Sequence, residues 1–334
     1  MIINRCSTSL GSDPELFFVD ENNEVVKSID VLKQAKVSTV RHNHVVTDGF
    51  QVELNPYPSF CREIAASDIV YSLKCAAELA KKAGVKLSFA LGHVISDRVW
   101  DSTDEESRQF GCAPTFSPYE EFRRPDGQDV RLRTGGGHVH ISGNSKLTPA
   151  RINRAVKLMD ILCGNTCVLI DRDPLNKERR KYYGRAGEYR SSGERLEYRV
   201  PSNFWMQDYR LWSMVSAQVQ VAFYLSIDSN KSAANSLLKA VNMEQIREAI
   251  NNNDYELAMQ NFMVVRQWMK DNIFETGGKG IEYSNVDKFL RWAKMKDPLA
   301  KLGKSDERSI RARWGRKIKG RINGFERFLN ANFK

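Results

Sequence analysis

Three features of the chain predict an α+β fold: a mostly antiparallel sheet with helices packed on one face, followed by a helical C-terminal appendix. Strand-like and helix-like segments share the first two-thirds without strict alternation, which argues against a parallel βαβ array. Several of those strands carry acids, imidazoles or guanidiniums at period two, so each strand has one apolar and one polar face. Beyond about Asn230 the strand signal stops and only helical periodicity remains.

The predicted strands lie at about 14–19, 24–29, 45–55, 85–93, 129–142 and 194–200. A helix over about 62–83 carries Ile64, Ile69, Val70, Leu73, Ala77 and Ala80, with Gly84 where a C-terminal cap belongs. A second, about 149–170, has Thr148 as N-cap and Pro149 at its first position. A third starts near Ser202 and runs through Trp212, Met214, Val219 and Phe223. Segments 234–251, 253–272, 285–296 and 306–331 read as further helices, separated by turns such as Gly277-Gly278-Lys279-Gly280. The 334 residues exceed the roughly 250–300 at which one core stops growing. A catalytic unit over 1–230 and a basic helical region over 231–334 are therefore expected.

The bulk properties exclude several classes. With 41% hydrophobic and 28% charged residues the chain is neither disordered nor fibrous. No uncharged apolar run approaches the ~18 residues of a membrane span. The start, Met1-Ile2-Ile3-Asn4-Arg5-Cys6, lacks the layout of a secretion signal, and a cytoplasmic site is expected. Cysteines at 6, 61, 75, 112, 163 and 167 form no CxxC pair; Cys163 and Cys167, one helical turn apart, read as buried free thiols. The net charge of +10 is concentrated in the tail: residues 300–334 hold eleven Lys or Arg against Asp306, Glu307 and Glu326.

Arg195-Leu196-Glu197-Tyr198-Arg199-Val200-Pro201 places three charges on one strand face. A solvated face is the simple explanation, but three other segments share the pattern. Gly135-Gly136-Gly137-His138-Val139-His140-Ile141-Ser142 puts two imidazoles on one face, behind glycines that permit close backbone approach to a ligand. No Gly-Lys-Ser/Thr follows, so this is not a P-loop. Asp13-Pro14-Glu15 sets two carboxylates at the head of Leu16-Phe17-Phe18-Val19, a donor set suited to hard divalent cations. Glu53, between Val52 and Leu54, is expensive to bury unless paired or bound to a cation. Finally, the run from Arg179 to Arg190, with Lys181, Arg185 and glycines at 184 and 187, reads as a phosphate-engaging loop.

In this order the motifs resemble the catalytic sheet of the glutamine synthetase and glutamate–cysteine ligase superfamily, and most closely its tailed-bacteriophage carboxylate–amine ligases. The resemblance covers about residues 8–205. It implies a glutamine synthetase-like sheet, ATP and Mg2+ (or Mn2+) as cofactors, and amide formation through an acyl phosphate. It implies that Glu15 and Glu53 hold one cation, with Asp48 and His44 as candidates for the third ligand, and that Asp13, His138 and Glu197 hold a second. Arg185, Arg195 and Arg199 would contact the γ-phosphate, and His140 would lie near substrate or phosphate. Asp13 is shorter than the glutamate of glutamine synthetase, and no counterpart of that enzyme's decamer-forming N-terminal domain is expected, so its oligomeric architecture is not implied. The resemblance leaves the acid and amine open; a peptide or polymer is one option.

Two other readings compete. A zinc hydrolase would use the pairs His42/His44 and His138/His140, since neutral imidazole suits zinc; the arginine-rich strand argues against it. A nucleic-acid-binding or virion-associated protein would act through the basic tail, where Arg311, Arg313, Arg316, Lys317, Lys319 and Arg321 surround Trp314. The simpler role for that tail is a helix packed on the core with a solvated basic face.

Overall fold

The computed structural model describes residues 8–36, 41–42, 44–108, 115–119, 130–143, 147–274 and 283–332. The chain is α+β with antiparallel sheets, as expected. The first sheet has four strands in the order β1 (Thr8–Ser12), β10 (Val139–Gly143), β12 (Arg195–Tyr198) and β11 (Tyr189–Ser192). The second runs β3 (Val25–Val26), β2 (Glu15–Val19), β6 (Gln51–Leu54), β5 (Val45–Asp48) and β4 (Arg41–His42), with β7 (Lys86–Ser88) also on β2. A ribbon of β8 (Gly92–Val94) and β9 (Leu132–Thr134) completes the strands.

Only Asp13-Pro14 separates β1 from β2, so the two main sheets are joined end to end by the first acidic motif. Their alternation sorts the side chains cleanly. Leu10, Val139, Ile141, Leu196 and Tyr198 of the first sheet and Leu16, Phe18, Val45, Val52 and Leu54 of the second enter one apolar core. The helices Arg62–Lys82, Pro149–Met159 and Tyr209–Leu225 cover it with Ile69, Leu73, Val156, Met159, Val215, Val219 and Phe223. On the opposite faces Phe17, Val19 and Val25 of the second sheet form a smaller apolar cluster with Phe50, Ile95 and Trp100; the polar groups of the site lie beside it, around the junction of the two sheets.

Local chemistry sets most boundaries. Thr148 caps its helix by accepting from Arg151 N at 3.2 Å, and Pro149 follows at the first position; such a cap contributes about 1 kcal/mol. The predicted helix over 149–170 instead passes through a π turn, Asp160–Gly164, before Asn165–Val168. Asp160 there accepts from the hydroxyls of Tyr119 and Tyr198, each at 2.7 Å. The predicted strands at 45–55, 85–93 and 129–142 are each interrupted; the first is the hairpin β5–β6, turned by Gly49 at φ 54°. The strand expected at 24–29 is cut to two residues because helix Ser28–Gln34 starts there. Strands β1, β4 and β11 were not predicted: β1 is a small-residue stretch, β4 is two residues long, and β11 falls in the segment read as a basic loop.

Past the short turn Asp228–Asn230 come helices Lys231–Ala240, Met243–Asn252, Tyr255–Met269, Tyr283–Ala293 and Glu307–Asn332. The predicted helix 234–251 breaks at Asn242, whose side chain accepts from Glu244 N and Gln245 N at 3.0 and 3.3 Å. Leu237, Ile246, Ile250, Phe262, Trp268, Ile310, Trp314 and Ile318 share the core of the sheets. Among the described residues no helix is long and apolar enough to cross a membrane. Cys61, Cys75, Cys163 and Cys167 are free thiols, the last three buried. Cys6, Cys112, the 277–280 turn and the imidazole of His42 lie outside the described residues.

Candidate active site

The site grows from strand register. In the first sheet Gly11, His140, Glu197 and Arg190 are successive cross-strand partners, forming one row. Asp13, immediately past β1, reaches into it. His140 Nε2 lies 3.0 Å from Asp13 Oδ2 and 3.9 Å from Glu197 Oε2; His138 Nδ1 lies 3.1 Å from Asp13 Oδ1 and 3.8 Å from Glu197 Oε1. Ligand atoms of Asp13, His140 and Glu197 all fall within 4.8 Å of one another, the spacing of a metal site. His138 approaches the same two carboxylates, so both imidazoles of the pair face this cluster.

The second sheet supplies the other half. Glu15 on β2 stands directly opposite Glu53 on β6, and Asp48 on β5 is opposite Gln51. Glu15 is buried, and its Oε2 accepts from Gly136 N at 2.6 Å, Gln51 Nε2 at 2.9 Å and the Tyr183 hydroxyl at 3.0 Å. The glycines before the imidazoles serve a purpose other than ligand approach. A Cβ on Gly135 would sit 2.5 Å from Asn203 Nδ2, on Gly136 2.5 Å from His138 Nε2, and on Gly137 2.2 Å from Ser202 O. They let the strand lead into His138 pass against Glu15 and Ser202.

Electrostatics show what this costs. Burial raises the Glu53 carboxyl, and Asp13, Glu15, Asp48 and Glu197 raise it further, to about 9. Asp48 goes up to about 6, by burial and then Glu15, against the pull of Arg199, Arg190 and Arg133. Burial would raise Asp13 too, but His140 and His138 outweigh it and hold it well below the usual carboxylate range. His140 is pushed down by burial, but Asp13 and then Glu197 leave it above its ordinary value. Five carboxylates thus feel one another in low dielectric. Among the described residues, Asp13 Oδ1 and His138 Nε2 are buried without an aligned hydrogen-bond partner. Clustered oxygens, imidazole nitrogens and orphaned buried atoms fit divalent cations held by Asp13, His138, His140 and Glu197 on one side and Glu15, Glu53 and Asp48 on the other.

The guanidiniums divide into two groups. Arg199, buried, binds Glu197 Oε1 at 2.5 Å, and Arg190 lies 3.8 Å from the same oxygen. Arg195 is exposed, yet its charge bears on His140. Arg185 is half-buried and opens the turn closed by Glu188 N on Arg185 O at 3.1 Å. Lys181 is exposed and pairs with Glu178 at 2.6 Å, so nothing draws it to the acids. Arg179 is consumed by the fold, donating to the carbonyls of Val200, Arg199 and Pro201 at 2.9, 3.2 and 3.1 Å. His44, in the left-handed region at φ 62°, points to Asp68 at 3.4 Å and packs edge-on against Tyr57 and Tyr71. Of the two candidates for a third ligand, Asp48 bears electrostatically on Glu15 and Glu53, whereas His44 is engaged with Asp68. Sequence reasoning missed Tyr183, Gln51 and Arg133, whose roles depend on contacts made far along the chain.

Comparison with known proteins bears on the same residues. The sequence model of the family described as Phage phiEco32-like COOH.NH2 ligase-type 2 matches residues 124–272. That span holds His138, His140, the loop 179–190, Arg195, Glu197 and Arg199, while Asp13, Glu15, Asp48 and Glu53 precede it. A solved structure described as a crystal structure of a novel glutamine synthase homolog aligns with 87% of this chain and 72% of its own. The identity is 12% and the TM-score 0.37. No curated protein matches the chain.

Proposed function

We propose that the chain is an ATP-dependent carboxylate–amine ligase that forms an amide through an acyl phosphate with the help of divalent cations. The observation that carries this reading is the convergence of Asp13, Glu15, Asp48, Glu53, Glu197 and two imidazoles beside Arg190, Arg195 and Arg199. The phage ligase family matched over 124–272 supports it. Bound Mg2+ or Mn2+ would neutralise the β- and γ-phosphate oxygens and polarise the phosphorus. A substrate carboxylate attacks that phosphorus and the bond to ADP breaks; an amine then attacks the acyl carbon, phosphate leaves, and the amine gives up a proton.

The protein's own part is to offset repulsion between polyanion and carboxylate. Arg199 orients Glu197, Arg190 adds charge at the same oxygen, and Arg195 and Arg185 meet the transferring phosphoryl group. Replacing Arg195 or Arg185 with Ala should lower turnover by roughly 10²-fold or more while leaving the fold intact. Glu15→Gln and Glu197→Gln should abolish ADP release with the correct acid and amine. Normal turnover by both folded variants would remove the cation assignment. The substrates are proposed to be a small or peptidic acid and amine, identified by a thermal-shift screen with ATP and Mg2+ against amino acids, polyamines and peptides. The zinc alternative called on both H-x-H pairs, and His44 is engaged with Asp68 at 3.4 Å instead.

A further inference from the structure

Resting on the cation cradle proposed above, we infer that Tyr183 is a positioning residue that ties the Tyr/Gly loop to Glu15, so that loop order and cation binding are one equilibrium. Tyr183 is buried at 5% exposure and belongs to the loop, not to either sheet of the site. Its single hydroxyl proton is shared between Glu15 Oε2, at 3.0 Å, and the carbonyl of Thr134. With Gly136 N and Gln51 Nε2 on the same oxygen, Oε2 is saturated and Oε1 is the atom left to coordinate. A phenol keeps its proton at neutral pH, so Tyr183 is a donor there.

The loop side of this link is equally built. The Arg179 guanidinium lies 4.5 Å over the Tyr183 ring while gripping three carbonyls at the exit of β12. Gly184, at φ 77°, has no room for a Cβ because Arg179 Nη1 stands 2.3 Å away. Glu188 Oε2 accepts from Gly184 N at 2.7 Å and closes the turn that carries Arg185. Moving Tyr183 therefore moves the segment between Arg179 and Glu188, and moving that segment removes a donor from Glu15. A group that orients a ligand typically changes metal affinity 10–100-fold when lost. By linkage, a cation held at Glu15 must order the loop to the same extent.

The test uses the full chain without nucleotide. Mn2+ affinity is titrated by calorimetry, and amide hydrogen exchange over 181–190 is followed with and without Mn2+. In the wild type, Mn2+ should slow exchange in the loop. In Tyr183→Phe, which keeps the ring, Mn2+ affinity at one site should fall about 10-fold or more, and loop protection at saturating Mn2+ should vanish. Gln51→Leu removes another donor from Oε2 without touching the loop; it should weaken Mn2+ binding yet keep the protection. A Tyr183→Phe chain with a lower metal-free melting temperature but unchanged Mn2+ affinity and protection would overturn the coupling and leave Tyr183 a packing residue. Absence of Mn2+ binding by the wild type would overturn the cation reading as well, which separates the two failures.

Discussion

Glu53 concentrates the physics of the site in one side chain. Its ordinary value of 4.5 is raised to about 9 by burial and by four neighbouring carboxylates. Between those values the folded, metal-free chain holds a proton that the unfolded chain has released. Stability then falls as pH rises through that window, by about 1.4 kcal/mol per unit for one such group. Asp48, raised to about 6, adds to the fall at the lower end, and His140, held above its ordinary value chiefly by Asp13 once burial is offset, adds further up. In chelator, the melting temperature should therefore drop from about pH 5 to about pH 9. Glu53→Gln should flatten the slope, and so should saturating Mg2+, which puts a cation where the proton sat. An unchanged slope in the variant would mean that Glu53 does not carry the strain. The acid was legible in the sequence because it interrupts Val52 and Leu54. Asp48 was legible only as one of two candidates, because its proximity to Glu15 depends on the register set by the Gly49-Phe50 turn.

At the scale of elements, the Gly135-Gly136-Gly137 approach to β10 makes the site possible, and its three glycines are not equivalent. Gly136→Ala meets the tip of an imidazole at 2.5 Å and Glu15 Oε2 at 3.2 Å, which are side-chain atoms and not backbone. It should cost about 1–3 kcal/mol and weaken divalent-cation binding, because the displaced atoms are His138 Nε2 and Glu15 Oε2. Gly137→Ala meets the Ser202 carbonyl at 2.2 Å and Trp205 Nε1 at 2.4 Å. Backbone does not swing aside, and Trp205 is committed to Gly137 O at 2.9 Å, so this variant should accumulate unfolded or insoluble. Thermal melting and Mn2+ titration of the two variants check the order; equal melting temperatures would mean that the backbone relaxes around both. The motif was visible in the sequence, but the reason for its glycines was not: they make room for Asn203, His138 and Ser202. The period-two alternation of β10 and β12 survived folding because one face meets the core. Strand β11 escaped notice because Tyr189-Arg190-Ser191-Ser192 has no buried face; only its pairing to β12 makes it a strand.

At the scale of the whole molecule, the question is whether the basic C-terminal helix is a separate device. Its Ile310, Trp314 and Ile318, spaced by four, are buried in the common core, and it packs on helix Arg62–Lys82. Trp314 Nε1 donates to Met206 O at 2.9 Å, and Arg313 donates to Gln207 O from two nitrogens, at 3.1 and 3.0 Å. Trp314→Ala should therefore cost about 3–5 kcal/mol, and removing 304–334 should destabilise the whole chain. The charges on the other side are separable: Arg308, Arg316, Lys317 and Lys319 are exposed, and each should be replaceable by Gln within about 0.5 kcal/mol. A chain with all four replaced should keep its melting temperature and its Mn2+ binding. If the tail recruits an acidic macromolecule, this variant should bind a polyanion such as heparin more weakly, with a shallower dependence of log affinity on log salt. A salt dependence equal to the wild type's would assign these charges to solubility alone and leave any substrate choice to the groups around Asp13 and Glu15.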